Sequence, residues 1–253
     1  MYKNELQFAV AVAKEAGEIL KGDFYLPRPT PVIDDNGVHL MIDHEIEQFI
    51  KGRIALEFPT HGFLGEEEGA NNIESDFKWI VDPIDGTSNY FCHNPFFCIS
   101  IALTYRNEIV VGVINAPMVN ELYQVIKGQT IHLNNQVIHS LESKSFDKIV
   151  IGGRSYEARC RNINNFQIED TKKYLKIEMG AAGLELAYVA SSKIQAYVVE
   201  GIKDWDVTAG VLMVREMGGK VVNWKGEEWQ FGDDRLIAGK ENIVNKMLSK
   251  VKL

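Results

Sequence analysis

Cysteine is scarce in this sequence of 253 residues, which contains only Cys92, Cys98 and Cys160 and no CxxC pair. An odd, unpaired set disfavours a disulfide framework and a zinc knuckle, so we expect buried free thiols. No apolar run approaches the ~20 residues that span a bilayer, and the first residues lack the basic start and apolar core of a signal peptide. A soluble, cytoplasmic protein is therefore expected.

Basic residues are also in deficit, because 27 Lys and Arg stand against 35 Asp and Glu, for a net charge of −8. Binding to nucleic acid or to an anionic membrane needs Lys and Arg concentrated on one face, and the sequence has no such run. We therefore expect neither as a partner. What is present is an ordinary globular composition, on a chain long enough for one large core or two fused cores.

Helix and strand patterns alternate along the chain. Apolar spacing predicts helices over 5–21 and 43–58, separated by a proline-rich exposed loop over 26–37. Further strands are predicted at 62–65, 77–81, 96–105, 109–115, 148–153, 194–199 and 220–222, and further helices at 183–191, 206–217 and 241–251. This mixture indicates an α/β or α+β protein with helices layered on sheet. The weakly patterned region 129–147 could contain a boundary between two halves.

Acidic residues cluster where predicted strands end or helices begin, which is where function is usually found. Glu66, Glu67 and Glu68 follow one strand, Asp82 and Asp85 follow the next, and Asp206 precedes a helix. Carboxylates held close together repel one another unless a cation lies between them, and oxygen ligands select hard ions such as Mg²⁺. Taken singly, the glutamates are better explained as a solvated acidic turn, and Asp206 is explained at least as well as a helix N-cap, which could also be a ligand.

The residues after Asp85 suit a phosphate group. Gly86, Thr87 and Ser88 offer close backbone approach, hydroxyl donors and free amides if a helix starts there. A plain turn with Ser88 or Asn89 as an N-cap is the alternative. The neighbouring carboxylates favour the functional interpretation.

Three segments in this order resemble the inositol monophosphatase family of metal-dependent phosphatases. They are Gly65-Glu66-Glu67, the run DPIDGTSN from Asp82 to Asn89, and the run WDVTAG from Trp205 to Gly210. The resemblance implies an α+β fold, a layered αβαβα sandwich of the sugar-phosphatase type. It also implies halves at 1–140 and 141–253, the first with most metal ligands and the second with Asp206 and the leaving-group contacts. A homodimer that binds two or possibly three Mg²⁺ ions and is inhibited by Li⁺ is expected.

The resemblance also assigns roles to individual residues. Metal ligands would be Glu66, Asp82, the carbonyl of Ile84, Asp85 and Asp206. Thr87 paired with Asp43 would orient the attacking water, and Glu67 would fix a further water. Phosphate would be bound by Gly86, Thr87 and Ser88, and the leaving group by Gly180, Ala182 and Glu200. The sequence departs from the family at Val199, where an acidic residue is usual, and in 27–42, which lacks the family's usual lysine.

The expected activity is hydrolysis of a small phosphorylated metabolite, with inositol 1-phosphate first. Fructose 1,6-bisphosphate, histidinol phosphate and 3′-phosphoadenosine nucleotides are alternatives with the same chemistry, because metal ligands fix the reaction better than the leaving group. A metal-binding regulatory module with weak turnover is the alternative from another class. Asp43 and Thr87 argue against it, since a binding module needs no residues that activate water.

Overall fold

The computed structural model describes residues 1–27, 32–34, 37–138, 149–152 and 174–251. Its α-helices are α1 (Lys3–Asp23), α2 (Met41–Glu57), α3 (Thr87–Phe91), α4 (Ala182–Ala190), α5 (Asp204–Glu216) and α6 (Glu241–Leu248). Its strands are β1 (Val32–Asp34), β2 (Gly37–His39), β3 (Gly62–Gly65), β4 (Gly69–Asn71), β5 (Phe77–Asp85), β6 (Cys98–Tyr105), β7 (Glu108–Ala116), β8 (Glu121–Ile126), β9 (His132–Leu133), β10 (Gln136–Val137), β11 (Ile149–Gly152), β12 (Tyr174–Lys176), β13 (Ala196–Glu200), β14 (Lys220–Val222) and β15 (Arg235–Gly239).

The larger sheet has eight strands in the order β10-β9-β8-β7-β6-β5-β3-β4. Its strands pair antiparallel except for β3 and β5, which are parallel. Helices α1 and α2 cover one face, where Leu20 and Ile50 are buried in the same core as Trp79 and Val81 of β5. Ile80, the intervening residue of β5, belongs to the core on the opposite face, as the two-residue period of a strand requires.

The smaller sheet has five strands in the order β12-β11-β13-β15-β14. Tyr197 and Val199 of β13 are buried in the core that α4 and α5 share with the larger sheet. Val198 points the other way and packs with Val244 and Met247 of α6. Helices, sheet, helices, sheet and helix therefore follow one another, and the expected α+β sandwich of αβαβα layers is confirmed.

Two predicted elements differ from the structure. The described part of the expected loop over 26–37 includes β1, which pairs antiparallel with β2, since the valines Val32 and Val38 favour strands. The strand predicted over 77–81 continues to Asp85, so Asp82 and Asp85 lie within β5 rather than after it. Strands β9 and β10 join the larger sheet, and the expected boundary at 140/141 lies outside the described residues.

Two further expectations were that the cysteines are buried free thiols and that no segment spans a membrane. Cys98 is buried as expected, whereas Cys92 is exposed, so the expectation was wrong there. Cys160 lies outside the described residues. None of the described helices is both long and apolar enough to cross a membrane.

Candidate active site

The centre of the acidic cluster is an irregularity in β5. The pairing of β5 with β6 shifts register between Asp82 and Asp85, as in a β-bulge, where Pro83 is tolerated because it needs no ladder donor. The bulge places Pro83 and Ile84 outside the regular ladder, so the Ile84 carbonyl can serve another partner. Both aspartates are buried, with exposed fractions of 2% and 6%. The amide of Ile84 donates to Asp82 Oδ1 over 3.0 Å.

Asp43 and Asp206 lie at equivalent places in two helices. Asp43 is the third residue of α2, and its Oδ2 accepts the amide of Leu40 over 2.7 Å. Asp206 is the third residue of α5, and its Oδ2 accepts the amide of Lys203 over 2.8 Å. Asp206 is therefore not the N-cap itself. In both residues a hydrogen bond from a backbone amide fixes one carboxylate oxygen, and the other oxygen of Asp43 faces Thr87.

The three glutamates occupy the turn between β3 and β4, which we call the acidic turn (Glu66–Glu68). Glu66 reaches Asp82 through a side-chain hydrogen bond, and its pKa also responds to the charges of Asp43 and Asp206. Lys51 pairs with Glu68. Glu66 therefore belongs to the cluster, whereas Glu68 belongs to a surface ion pair.

Burial and mutual repulsion raise the pKa values of the clustered carboxyls. Burial is the first cause for Glu66, whose pKa rises to about 9, and neighbouring acidic side chains add to it. The same two causes raise the pKa of Asp82 well above its usual range. Burial raises the pKa of Asp85 to about 6 and that of Asp206 to about 7, although hydrogen bonds from backbone amides lower both.

A divalent cation fits this donor set. The carboxylates oppose one another's ionisation, and a hard cation between them would remove that cost. Among the described residues, no three His, Cys, Asp or Glu side chains lie close enough together to form a complete metal-ligand group. The charges of these carboxylates nevertheless act on one another and raise one another's pKa.

Thr87 lies beside this cluster at the start of α3. Its Oγ1 is 3.0 Å from the carbonyl of Ile84 and 3.4 Å from Asp43 Oδ1. Gly86 precedes it with a φ of 96°, and a Cβ there would lie 3.1 Å from the carbonyl oxygen of Gly180, so the left-handed turn favours glycine. Ser88 is exposed in the first turn of α3, where backbone amides have no partner within the helix.

The residues before and at the start of α4 meet this cluster. The amide of Ala182 donates to Asp85 Oδ1 over 2.8 Å, and the amide of Gly183 donates to Oδ2 over 2.7 Å. Cys98 Sγ lies 3.2 Å from Asp85 Oδ2. Asn89 Nδ2 donates to the carbonyl of Met179 over 2.6 Å. The structure thus brings Ala182 and the neighbouring Gly180 to the edge of the site.

Glu200 has a different neighbour. Arg235 on the adjacent strand forms an ion pair with it over 2.7 Å, and the Arg235 guanidinium lies 5.1 Å from the centre of the Trp224 ring. Val199, one residue earlier, points into the central core that also contains α4 and α5. The contacts of Glu200 thus lie on the other face of β13 from those of Val199.

Sequence reasoning missed two buried glutamates that support the site. Glu47 accepts amides of the acidic turn, and Glu185 accepts the amide of Met179 over 2.7 Å. Each had a signal in the sequence. Glu47 follows Asp43 by four residues and so shares its helix face, and Glu185 is a lone charge in an apolar helical stretch, where an unpaired charge is costly.

The layered fold also occurs in proteins of known structure. The chain shares its layered fold with an extragenic suppressor protein SuhB of Bartonella henselae, at a TM-score of 0.87 and 29% identity over 99% of each chain. It shares it also with an IMPase of Thermotoga maritima, at a TM-score of 0.88 and 26% identity over 97% of this chain and 96% of that one. The fold and the acidic site together define a phosphatase of the layered-sandwich class.

The family follows from the sequence matches. Residues 1–252 match the inositol monophosphatase family, and the chain belongs to that family. It is 32% identical to an inositol-1-monophosphatase of Mesorhizobium japonicum, over 98% of this chain and 96% of the relative. It is 31% identical to a Nus factor SuhB of Pasteurella multocida, over 97% and 95%.

Proposed function

We propose that the protein hydrolyses a small phosphate monoester with Mg²⁺, inositol 1-phosphate being the first candidate. The observation that carries this proposal is the group of carboxylates that raise one another's pKa next to Thr87 and Asp43. Such a cluster does not stabilise the fold by itself, because each buried carboxylate costs free energy of folding until a cation neutralises it.

The ligands proposed for two ions are Glu66, Asp82, the carbonyl oxygen of Ile84, Asp85 and Asp206. When bound, Mg²⁺ would lower the pKa of water, neutralise the phosphoryl oxygens and stabilise the leaving alkoxide. The Ile84 carbonyl can accept the Thr87 hydroxyl and still offer its second lone pair. A third ion and inhibition by Li⁺ stay predictions.

The chain itself would orient the nucleophile. Because Thr87 donates its hydroxyl hydrogen to Ile84 over 3.0 Å, its oxygen remains an acceptor for a water molecule. For proton transfer, the hydroxyl hydrogen would turn from Ile84 to Asp43 Oδ1, 3.4 Å away, so that Thr87 could take the water's proton as it gives its own to Asp43. The position of Asp43 is fixed by the amide of Leu40. Glu67 would accept a hydrogen bond from a further water, and the amides and hydroxyls of Gly86, Thr87 and Ser88 would hold the phosphate.

The leaving group would lie near Gly180 and Ala182, across the site from the acidic turn. A leaving-group role for Glu200 is the least supported of these assignments, because its carboxylate is engaged by Arg235. Because specificity depends on contacts with the leaving group, the ion pair of Glu200 leaves three alternative substrates open. They are fructose 1,6-bisphosphate, histidinol phosphate and 3′-phosphoadenosine nucleotides.

Other assignments of the sequence stay predictions. These are the homodimer, the cytoplasmic location and the two halves at 1–140 and 141–253. The expected absence of a nucleic-acid partner is also a prediction, because some relatives carry the name Nus factor. The regulatory-module alternative gains no support from a site that includes both Thr87 and Asp43.

The test is phosphate release from a panel of inositol 1-phosphate, fructose 1,6-bisphosphate, histidinol phosphate and 3′-phosphoadenosine phosphate, with and without Mg²⁺. We expect Mg²⁺-dependent release from at least one compound. An Asp82→Asn change should lower kcat/KM by more than about 100-fold, the upper range for groups that only support a ligand.

The matched control is Asp76→Asn, an exposed aspartate just before the same strand, which should keep normal activity. If none of the compounds released phosphate, the enzyme assignment would be refuted. Normal turnover in the Asp82→Asn protein would refute the ligand assignment.

A further inference from the structure

Glu47 is a buried carboxylate outside the proposed ligand set. It lies on α2 four residues after Asp43 and has an exposed fraction of 0%. Its Oε2 accepts the amide of Glu67 over 2.9 Å, and its Oε1 accepts the amide of Glu68 over 2.7 Å. One side chain therefore binds two successive amides of the acidic turn, twenty residues away along the chain.

This arrangement is costly for a purely structural contact. Burial raises the pKa of Glu47, the two amide bonds lower it, and the charges of Glu67 and Glu68 raise it again. Within the described part of the chain, Glu47 forms no ion pair with a Lys or Arg side chain. An apolar side chain would fill the same space without that penalty, but it could not orient the amides.

Gly65 shows how closely the chain approaches this carboxylate. A Cβ at Gly65 would lie 2.4 Å from Glu47 Cδ and 2.5 Å from each of its carboxylate oxygens. Only a residue without a Cβ allows the end of β3 to pass there. The position of the chain just before Glu66 is thus fixed by contact as well as by hydrogen bonds.

The contacts of Glu47 also determine where Glu66, at the start of the acidic turn, is directed. Because the amides of Glu67 and Glu68 point to Glu47, the turn has one defined orientation, and in that orientation Glu66 reaches Asp82. The same helix holds Asp43 against Thr87. One rigid element, α2, therefore sets both the acidic turn and the partner of Thr87.

We infer that Glu47 is a positioning residue that orients the acidic turn, so that Glu66 can bind metal together with Asp82. It contacts neither the phosphate nor the cation itself. This inference depends on the proposed function, because it assigns to Glu47 a part in metal binding by that same site.

The experiment compares Glu47→Gln with Glu45→Gln, the same change at an exposed position of the same helix. Mn²⁺ binding is measured by electron paramagnetic resonance on the substrate-free protein, and Mg²⁺ dependence by phosphate release. In Glu47→Gln the amide NH₂ must face one of the two backbone donors. We expect Mn²⁺ affinity to fall about 10–100-fold, the range seen when a group that orients a ligand is lost, with kcat at saturating Mg²⁺ less affected. Glu45→Gln should match the unchanged protein.

Further measurements separate the outcomes. The amide proton resonances of Glu67 and Glu68 should move in Glu47→Gln and not in Glu45→Gln, because a carboxylate acceptor is replaced. If Glu47→Gln does not fold, Glu47→Asp provides the same test, since its shorter side chain cannot reach both amides. Mn²⁺ affinity equal to that of Glu45→Gln would overturn the inference while the proposed function stands. An unchanged protein that neither binds Mn²⁺ nor releases phosphate would overturn both.

Discussion

Two segments of the site are each held by a buried glutamate that accepts hydrogen bonds from two successive backbone amides. The acidic turn is bound through two successive amides by Glu47. The segment that contains Met179 and Gly180 is bound through two successive amides by Glu185, which has an exposed fraction of 1%. Both carboxylates are buried, and burial raises the pKa of each.

The difference between them is the distance along the chain. Glu47 joins α2 to a turn twenty residues later, whereas Glu185 binds the segment just before its own helix, six residues away at Met179. A long-range contact fixes one element relative to another, and a local one fixes the shape of a loop. We therefore expect Glu47 to govern the metal ligands and Glu185 to govern the leaving-group side, which three substitutions can test.

The largest effect is expected for Glu185→Gln and depends on pH. Burial raises the pKa of Glu185 to about 8 from 4.5. A raised pKa means that the stabilising contribution is complete below about pH 4.5 and is lost as the pH rises through about 8. Since Gln does not ionise, the variant should gain stability relative to the unchanged protein by roughly 5 kcal/mol between pH 4.5 and 9, as an order of magnitude.

The measurement is chemical unfolding in EDTA at a series of pH values. The clustered carboxyls titrate in both proteins, so the difference between the two curves reports Glu185. Glu45→Gln, at an exposed position, should show no such difference. Parallel stability curves for Glu185→Gln and the unchanged protein would contradict the assigned pKa.

The next largest effect is expected for Gly65→Ala, just before the acidic turn. The added Cβ would overlap the Glu47 carboxylate, and overpacking of this kind typically costs about 1–3 kcal/mol. Because the carboxylate must move, Mn²⁺ affinity should fall at least as far as in Glu47→Gln. Gly52→Ala, at an exposed position of α2 where nothing lies within 4 Å, should instead stabilise the protein by about 0.5–1 kcal/mol. If Gly65→Ala kept full metal affinity, the acidic turn would not depend on Glu47.

The motifs of the sequence identified carboxylates that the structure brings into one cluster, because a metal site restricts residue type. Asp82, Asp85 and Glu66 are predictable as a group, since only acidic side chains next to strands suit a hard cation. The helices of the central layer and the existence of β5 were equally readable from apolar patterns.

The supporting contacts were not readable, because they depend on which elements meet in space. The sequence does not show that Glu47 and Gly65 meet, because their contact depends on the packing of α2 against the end of β3. The bulge that extends β5 through Pro83 could not be foreseen either, since proline usually ends a strand and here lies where the pairing register shifts. In the same way, the ion pair of Glu200 with Arg235, thirty-five residues later, could not be read from the sequence.

The smallest effect is expected for Asn89→Ala, which distinguishes an effect on the leaving-group side from an effect on metal binding. Asn89 Nδ2 donates to the carbonyls of Phe96 and Met179, each over 2.6 Å, and so joins α3 to the segment that Glu185 holds. Losing these bonds should cost about 1 kcal/mol, and Asn245→Ala on the exposed face of α6 should cost almost nothing. We expect a higher KM with unchanged Mn²⁺ affinity, because Asn89 acts on the leaving-group side alone. A fall in Mn²⁺ affinity as large as that in Glu47→Gln would show that the two segments move together, and the division of roles between Glu47 and Glu185 would then be wrong.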